Sequence, residues 1–432
     1  MPHAHKLSLR AAILINLNIM VGVGIFLNTT VLASLAGAAG CISYLVLAIL
    51  LLPLIVSIAR LVHIYPEGGF YAYASKPLGT LWGFISTWSY FTSKLASSTL
   101  MIHASMQLLR QIIPALQAIP IFCLDFIVLS IFLLLNVLHM RSGRAIQFFF
   151  LSMKLIPILF VLISGLFLFN GDYYSAQHIV WDGFLTTLPL VLYTAVGFEA
   201  TTSLSRNIQD AERNGPLAII ISYAIVITLN ALYQFFFYGM LGSALATAGS
   251  FTQAFPLLIA QIFNNPTTAN IMQGLCNCAI ASSALGGAYG IMFSNSWNLY
   301  TLAEHNNVLK ARWFTHMNRF QIPVLCIMAE GILSVIYLFV TQAHQTTLQQ
   351  ITSLGCTIAY TLSIIGLLAY ERSRNQTSFV GMLALINCVA LMAACVKSIY
   401  VGGFNGLVIY GAIVISGIIM YTYLERTRTA HE

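Results

Sequence analysis

The 432-residue chain is 59% hydrophobic and 7% charged, with a formal net charge of +7. Soluble domains carry about 25% charged residues, so this composition excludes a soluble domain and points to a polytopic membrane protein. The basic residues stand scattered in short connections, which excludes a nucleic-acid-binding face, and the His and Cys residues show no catalytic or metal-ligand spacing.

Repeated apolar stretches of ~20 residues read as membrane helices rather than barrel strands. Twelve spans are expected, at 11–36, 41–61, 81–106, 120–139, 146–169, 184–205, 217–240, 270–300, 322–341, 350–370, 379–398 and 404–424. Lys6 and Arg10 before the first apolar run imitate a signal peptide. That run is long and carries Asn16, Asn18 and paired glycines, so it is read as a retained span. Cys276 and Cys278 are one residue apart and, like the other cysteines, read as small core residues. Of the 19 Lys and Arg residues, only Arg110 and Lys397 fall opposite the N-terminal side, with Lys94 and Lys154 inside spans. This bias predicts both termini in the cytoplasm. The connections 170–183 and 241–269 are read as short, moderately polar outward loops.

Span one carries Asn18-Ile19-Met20-Val21-Gly22-Val23-Gly24-Ile25-Phe26. Glycine costs about 1 kcal/mol against Ala in a helix interior, and a pair of them frees the backbone to leave the helix. Unwound backbone at membrane depth survives only where it lines a cavity or is buried in protein. The N–H groups that open a new half-helix there can hold a carboxylate. The plainer alternative is glycine for close helix packing. Span six repeats the signal in Tyr193-Thr194-Ala195-Val196-Gly197-Phe198-Glu199-Ala200, with Pro189 just before it. Spans one and six each open a block of five, and the two blocks enter the membrane from opposite sides. That is the sequence pointer to an inverted-repeat transporter with its site at two broken helices.

Five stretches resemble the amino acid–polyamine–organocation superfamily of permeases. They are Gly22-Val23-Gly24-Ile25-Phe26; Pro66-Glu67-Gly68-Gly69-Phe70-Tyr71-Ala72-Tyr73 with Pro77-Leu78-Gly79 in the first cytoplasmic loop; Lys154-Leu155-Ile156-Pro157; Gly197-Phe198-Glu199; and Gln321-Ile322-Pro323. Within the superfamily, the length and the Asn18-Ile19-Met20 start are similar to bacterial arginine/agmatine-type exchangers. The resemblance implies an all-α, LeuT-like fold of five-plus-five inverted repeats, with repeat one at about 11–169, repeat two at about 184–370 and two extra helices at about 379–424. It also implies that spans one, two, six and seven move against three, four, eight and nine. The implied substrate is an α-amino acid or amine.

On this reading Val23, Gly24 and Ile25 offer backbone N–H groups to a carboxylate. The carbonyls of Met20, Tyr193 and Val196 accept from an ammonium, and Val21, Gly22 and Gly197 complete the two breaks. Val23 stands where relatives often carry Ser or Thr, which removes one hydroxyl donor. Tyr193 matches the aromatic that gates or stacks on substrate in relatives; otherwise it is a packed ring. Glu199 reads either as a proton carrier or as a hydrogen-bond hub that steadies the break. Lys154 matches a lysine that stands where sodium sits in sodium-coupled cousins, there bridging spans one and eight; otherwise it snorkels to the cytoplasmic face. Lys94 is unusual for the family: it pairs with Glu199, favours an acidic substrate, or faces a water-filled vestibule. Glu330 and His103 have no obvious partners in the sequence. Asn28-Thr29-Thr30 is a formal glycosylation triplet inside a span.

The expected function is secondary active transport of amino acids or related amines by alternating access, proton-coupled or by exchange. A substrate sensor or channel-like protein on the same fold is the alternative. No cofactor or metal is expected. The expected partners are the substrate, protons or a counter-substrate, and the lipid bilayer of a plasma membrane (a bacterial inner membrane), with a homodimer as one option for assembly.

Overall fold

The computed structural model describes residues 6–137, 140–376, 378–402 and 405–429. Among these residues all regular structure is helical, apart from two isolated β-bridges. The side chains of Arg141, Arg144 and Arg428, which count toward the expected charge bias, lie outside the described residues.

The chain begins with α1 (Leu9–Met20) and α2 (Gly24–Ala36), two halves of one apolar run bent by 42° at the break between them. It continues through α3 (Gly40–Ile64), α4 (Gly69–Leu78), α5 (Thr80–Ile112), α6 (Ile121–Asn136) and α7 (Met140–Leu168). The second broken run is α8 (Phe184–Ala195) and α9 (Ala200–Ser203), followed by α10 (Ala211–Leu241), α11 (Ser243–Thr247) and α12 (Phe251–Ile262). Then come α13 (Pro266–Glu304), α14 (Ala311–Phe314), α15 (Val324–Thr341), α16 (Gln345–Ser373), α17 (Phe379–Gly402) and α18 (Asn405–Thr429).

By length and apolar composition 8 of these helices can cross a membrane, or up to 9 spans can do so if the bent α1–α2 pair is one of them. The protein is therefore an integral membrane protein. The other three expected spans fall short of that measure, each for its own reason. The stretch 81–106 lies in α5, which is 33 residues long but rich in Ser and Thr. The stretch 120–139 holds α6, of 16 residues. The stretch 184–205 is interrupted between α8 and α9.

α5 is the axis of the molecule, packed chiefly on α13, α16 and α4, with α15, α6 and α18 also against it. Many of its buried hydroxyls turn back on the helix's own carbonyls. Thr92 Oγ1 donates to Trp88 O at 2.8 Å, Ser93 Oγ to Tyr90 O at 2.7 Å and Ser105 Oγ to Ile102 O at 2.7 Å. A polar helix can thus occupy a dry interior.

Two connections differ from expectation. The 66–79 stretch is not an open loop: it folds into α4, which buries Phe70, Tyr71 and Tyr73 against α5 and α16. Phe70 sets its ring 4.5 Å from that of Tyr90. The outward stretch 241–269 folds into α11 and α12, and α12 buries Phe251, Ala254, Phe255, Leu258 and Ile259 against α2 and α13. That helical-period stripe is visible in the sequence; the polar residues between its members disguise it as a loop.

The two broken runs are tied together at both ends. Before α1, Leu7 bridges Ile208, which follows α9, through Leu7 N to Asn207 O at 2.7 Å and Gln209 N to Leu7 O at 2.9 Å. After α2, Gly37 bridges Ile179, which precedes α8, through Ala38 N to His178 O at 2.9 Å and Val180 N to Ala36 O at 3.2 Å. The runs therefore lie antiparallel, each break level with the other.

Candidate functional site at the two helix breaks

The first break spans Val21, Gly22 and Val23. Leaving the helix frees the carbonyls at the end of α1, and two side chains address them. Lys154 Nζ, from α7, donates to Asn18 O at 2.7 Å and Val21 O at 2.5 Å. Ser283 Oγ, from α13, donates to Gly22 O at 3.0 Å and Val21 O at 3.3 Å. Asn18 Nδ2 donates back to Gly286 O at 2.9 Å. Lys154 is fully buried, so it does not snorkel. It binds the first span alone, and the bridge to the eighth is made by Ser283 and Asn18. An ammonium suits the negative end of a helix dipole.

Glycine at position 22 has a steric reason. A Cβ there would lie 3.2 Å from Met101 Sδ, and one on Gly287 would come within 3.2 Å of Gly22 Cα. The backbone of α13 thus approaches the break directly. Past it, Val23, Gly24 and Ile25 open α2, whose first N–H groups have no partner within the helix. The Tyr193 ring lies against Gly24, where a Cβ would come 3.1 Å from it.

The second break spans Val196 to Glu199. Gly197 has φ +131°, a conformation glycine adopts without steric cost. Here an N–H is addressed by an anion. Glu199 Oε2 accepts from Gly197 N at 2.8 Å, while Oε1 accepts from Tyr90 Oη at 2.8 Å and lies 3.1 Å from Lys94 Nζ. Glu199 is fully buried and Lys94 only 2% exposed. Of the three readings of Lys94, the pairing with Glu199 is the one the geometry has, and its burial keeps it from a water-filled vestibule. Asn16 joins the breaks, its Nδ2 donating to Phe198 O at 2.7 Å and to Ser222 Oγ at 3.0 Å.

Other intramembrane polar groups find partners that the sequence did not reveal. Glu330 Oε1 accepts from Asn295 Nδ2 at 3.1 Å, Asn298 Nδ2 donates to Asn295 Oδ1 at 3.0 Å, and Ser203 Oγ donates to Asn298 Oδ1 at 2.8 Å. This chain runs from α15 through α13 to the end of α9. His103 Nδ1 lies 2.7 Å from Asp125 Oδ2. Asn28, in the formal glycosylation triplet, is buried and donates to Leu190 O at 2.6 Å. Beyond α9, Arg206 clasps Glu304 with two hydrogen bonds of 3.0 and 2.6 Å and lies over the Trp297 and Tyr300 rings. The clasp joins the second broken run to the end of α13. A single Arg and a single Glu in two connections 98 positions apart gave no sequence signal.

The family described as Amino acid permease matches residues 7–423, which take in both breaks. The chain belongs to the amino acid permease family. The permease is 27% identical over 318 residues to the amino-acid permease RocC of Bacillus subtilis, covering 67% of this chain and 65% of that protein. It is 21% identical over 384 residues to the DL-alanine permease SerP2 of Lactococcus lactis, covering 82% and 80%. It is 22% identical over 396 residues to an uncharacterized transporter of Mycobacterium bovis, covering 90% and 86%. The permease spans just under two thirds of the length of RocC and more of the other two. This is a family of transporters rather than enzymes.

Proposed function

We propose that the permease is a secondary transporter of α-amino acids or related amines that works by alternating access about the two breaks. One observation carries the reading. Each break exposes two half-helix ends, and at each break one end is already neutralised by a side chain of opposite sign. Lys154 serves the carbonyl end of α1 and Glu199 the Gly197 N–H next to α9. The two ends left are the N–H end of α2, at Val23, Gly24 and Ile25, and the carbonyl end of α8, at Tyr193 and its neighbours. One suits a carboxylate and the other an ammonium. A zwitterion matches both with backbone alone, and Met20, Val21, Gly22, Val196 and Gly197 form the floor between them.

A twelve-span, LeuT-like arrangement of two inverted repeats is the fold that goes with this mechanism. The helix contacts support it, since they come in matched sets. α3 packs on α10, α5 on α13 and α6 on α15, while α5–α16 mirrors α13–α7 and α1–α10 mirrors α8–α3. The burial of Met20, Val23, Tyr193 and Glu199, each 4% exposed or less, supports a site that opens only by movement of the surrounding helices. The membrane is a plasma membrane, a bacterial inner membrane, with both termini cytoplasmic, following the distribution of basic residues. The Arg206–Glu304 clasp then closes the cytoplasmic side. Lys154 supplies the fixed positive charge that a cation supplies elsewhere, so transport is driven by protons or by exchange. The relative named as a DL-alanine permease favours a small α-amino acid as cargo.

Uptake of labelled amino acids and amines into proteoliposomes tests this, with an imposed pH gradient and, separately, with vesicles preloaded with unlabelled substrate. Gradient-driven uptake into empty vesicles identifies a proton symporter. Uptake confined to preloaded vesicles identifies an exchanger. No uptake of any amino acid or amine in either format overturns the proposal.

A further inference from the structure

α5 presents one face to both breaks. Lys94, Ser98 and Met101 are spaced i, i+4, i+7, which puts them on one side of a helix. Met101 fills the space beside Gly22 and Gly287 at the first break. About two turns away, Lys94 Nζ lies 3.1 Å from Glu199 Oε1 and 5.3 Å from the centre of the Tyr90 ring. The other Glu199 oxygen holds Gly197 N at 2.8 Å. A Cβ on Gly197 would lie 3.2 Å from Met20 N and 3.0 Å from Met20 Cγ. The ammonium of Lys94 is therefore separated from the floor of the proposed site by a single carboxylate.

That placement bears on substrate side chains. A buried Glu199 standing alone would leave an uncompensated carboxylate at the second break and draw in a cation there. With Lys94 beside it, the pair is neutral and the attraction is already satisfied from within the protein. A basic side chain entering the site meets a carboxylate whose charge Lys94 already matches. An acidic side chain gains no surplus either, because the charge of Lys94 is matched by Glu199. The backbone ends that bind the α-carboxylate and α-amine are the same for every amino acid, so the discrimination falls on the side chain alone. A charged side chain of either sign therefore leaves water without gaining a counter-charge in the site, which disfavours binding by roughly tenfold or more.

Resting on the transport reading above, we infer that Lys94 is a specificity-determining residue. It is a built-in cation that takes the place of a basic side chain at Glu199 and restricts the permease to amino acids with uncharged side chains. Specificity of this kind comes from denying a competitor its counter-charge rather than from added contacts to the preferred substrate.

The test is competition in proteoliposomes. Uptake of the best-transported labelled neutral amino acid is measured against unlabelled neutral, basic and acidic amino acids and agmatine. In the wild type, arginine, lysine and agmatine are expected to compete at least about tenfold less well than neutral amino acids. Lys94→Met should narrow that gap at least tenfold, whereas Lys94→Arg, which keeps the charge, should leave it. Glu199→Gln, which leaves Lys94 uncompensated, should raise competition by aspartate and glutamate. Wild-type protein that accepts arginine as readily as a neutral amino acid overturns the inference and leaves the transport reading standing. A folded Lys94→Met protein with the wild-type ratio does the same. If Lys94→Met does not fold, the wild-type and Glu199→Gln competition profiles decide. No uptake of any amino acid, with no thermal stabilisation of the detergent-solubilised protein by any of them, overturns both.

Discussion

The two breaks solve the same problem with opposite charges. At the first, carbonyls left by α1 are taken up by Lys154 and Ser283, which reach in from α7 and α13. At the second, a backbone N–H is held by Glu199, which belongs to the break itself and is braced by Tyr90 and Lys94 of α5. The first break is therefore stabilised from outside its own run, by helices that also pack elsewhere. The second carries its own support within two residues. Rearranging α7 or α13 disturbs the first break directly, whereas the second keeps its Glu199–Gly197 bond and depends on α5 and α1 only for bracing. The difference teaches where sensitivity to movement resides: at the break whose charged partner lies on another helix.

Three substitutions probe that asymmetry. The largest effect is expected for Lys154→Met, which keeps length and removes the cation. Two charge-assisted bonds worth ~1.5–3 kcal/mol each are lost, so uptake should fall by at least roughly 100-fold while the protein still elutes as a folded species in size-exclusion chromatography. Near-wild-type uptake by that folded variant would break the comparison, since the first break would then hold without its external cation. Gly197→Ala comes next. It forces a side chain into φ +131° and against Met20, strain of about 1–3 kcal/mol. The expected result is a drop in melting temperature together with about tenfold slower uptake, and an unchanged melting temperature would contradict the assigned geometry. The smallest effect is expected for Ser283→Ala. A neutral hydroxyl contributes ~0.5–1.5 kcal/mol, so uptake should fall only a few-fold. A loss equal to that of Lys154→Met would mean that charge is not what distinguishes the two partners of the first break.

The breaks themselves were legible because glycine weakens a helix: the Gly22 and Gly24 pair marks the first, and Gly197 beside Glu199, an acid costly in an apolar run, marks the second. The pairing of Lys94 with Glu199 was among the readings open from sequence, since a buried charge needs a partner and few are available in the membrane. The partners of Glu330 and His103 were not legible. Asn295 and Asp125 are ordinary polar residues 35 and 22 positions away, and only the packing of separate helices sets them within reach. The fold was legible as a run of apolar helices, less so where helices serve the interior. α5 was legible as a span at 81–106 although it is rich in Ser and Thr, whereas α4 is too short to register as one; both are buried because their partners are other helices.

The β-bridges at Leu7–Ile208 and Gly37–Ile179 have a mechanical consequence. They join two jointed rods at both tips, so that neither rod can tilt without carrying the other. With a rise of about 1.5 Å per residue, the 12 residues of α1 form a lever roughly 18 Å long. A swing of about 10° around the break moves the tip by roughly 3 Å, close to the diameter of a water molecule. Through the Leu7 seam the same displacement reaches Asn207 and, next to it, Arg206, whose grip on Glu304 is only a few tenths of an ångström from the hydrogen-bond limit at its longer contact. A rotation too small to alter the chemistry at either joint is thus large enough at the tips to unfasten one face of the protein.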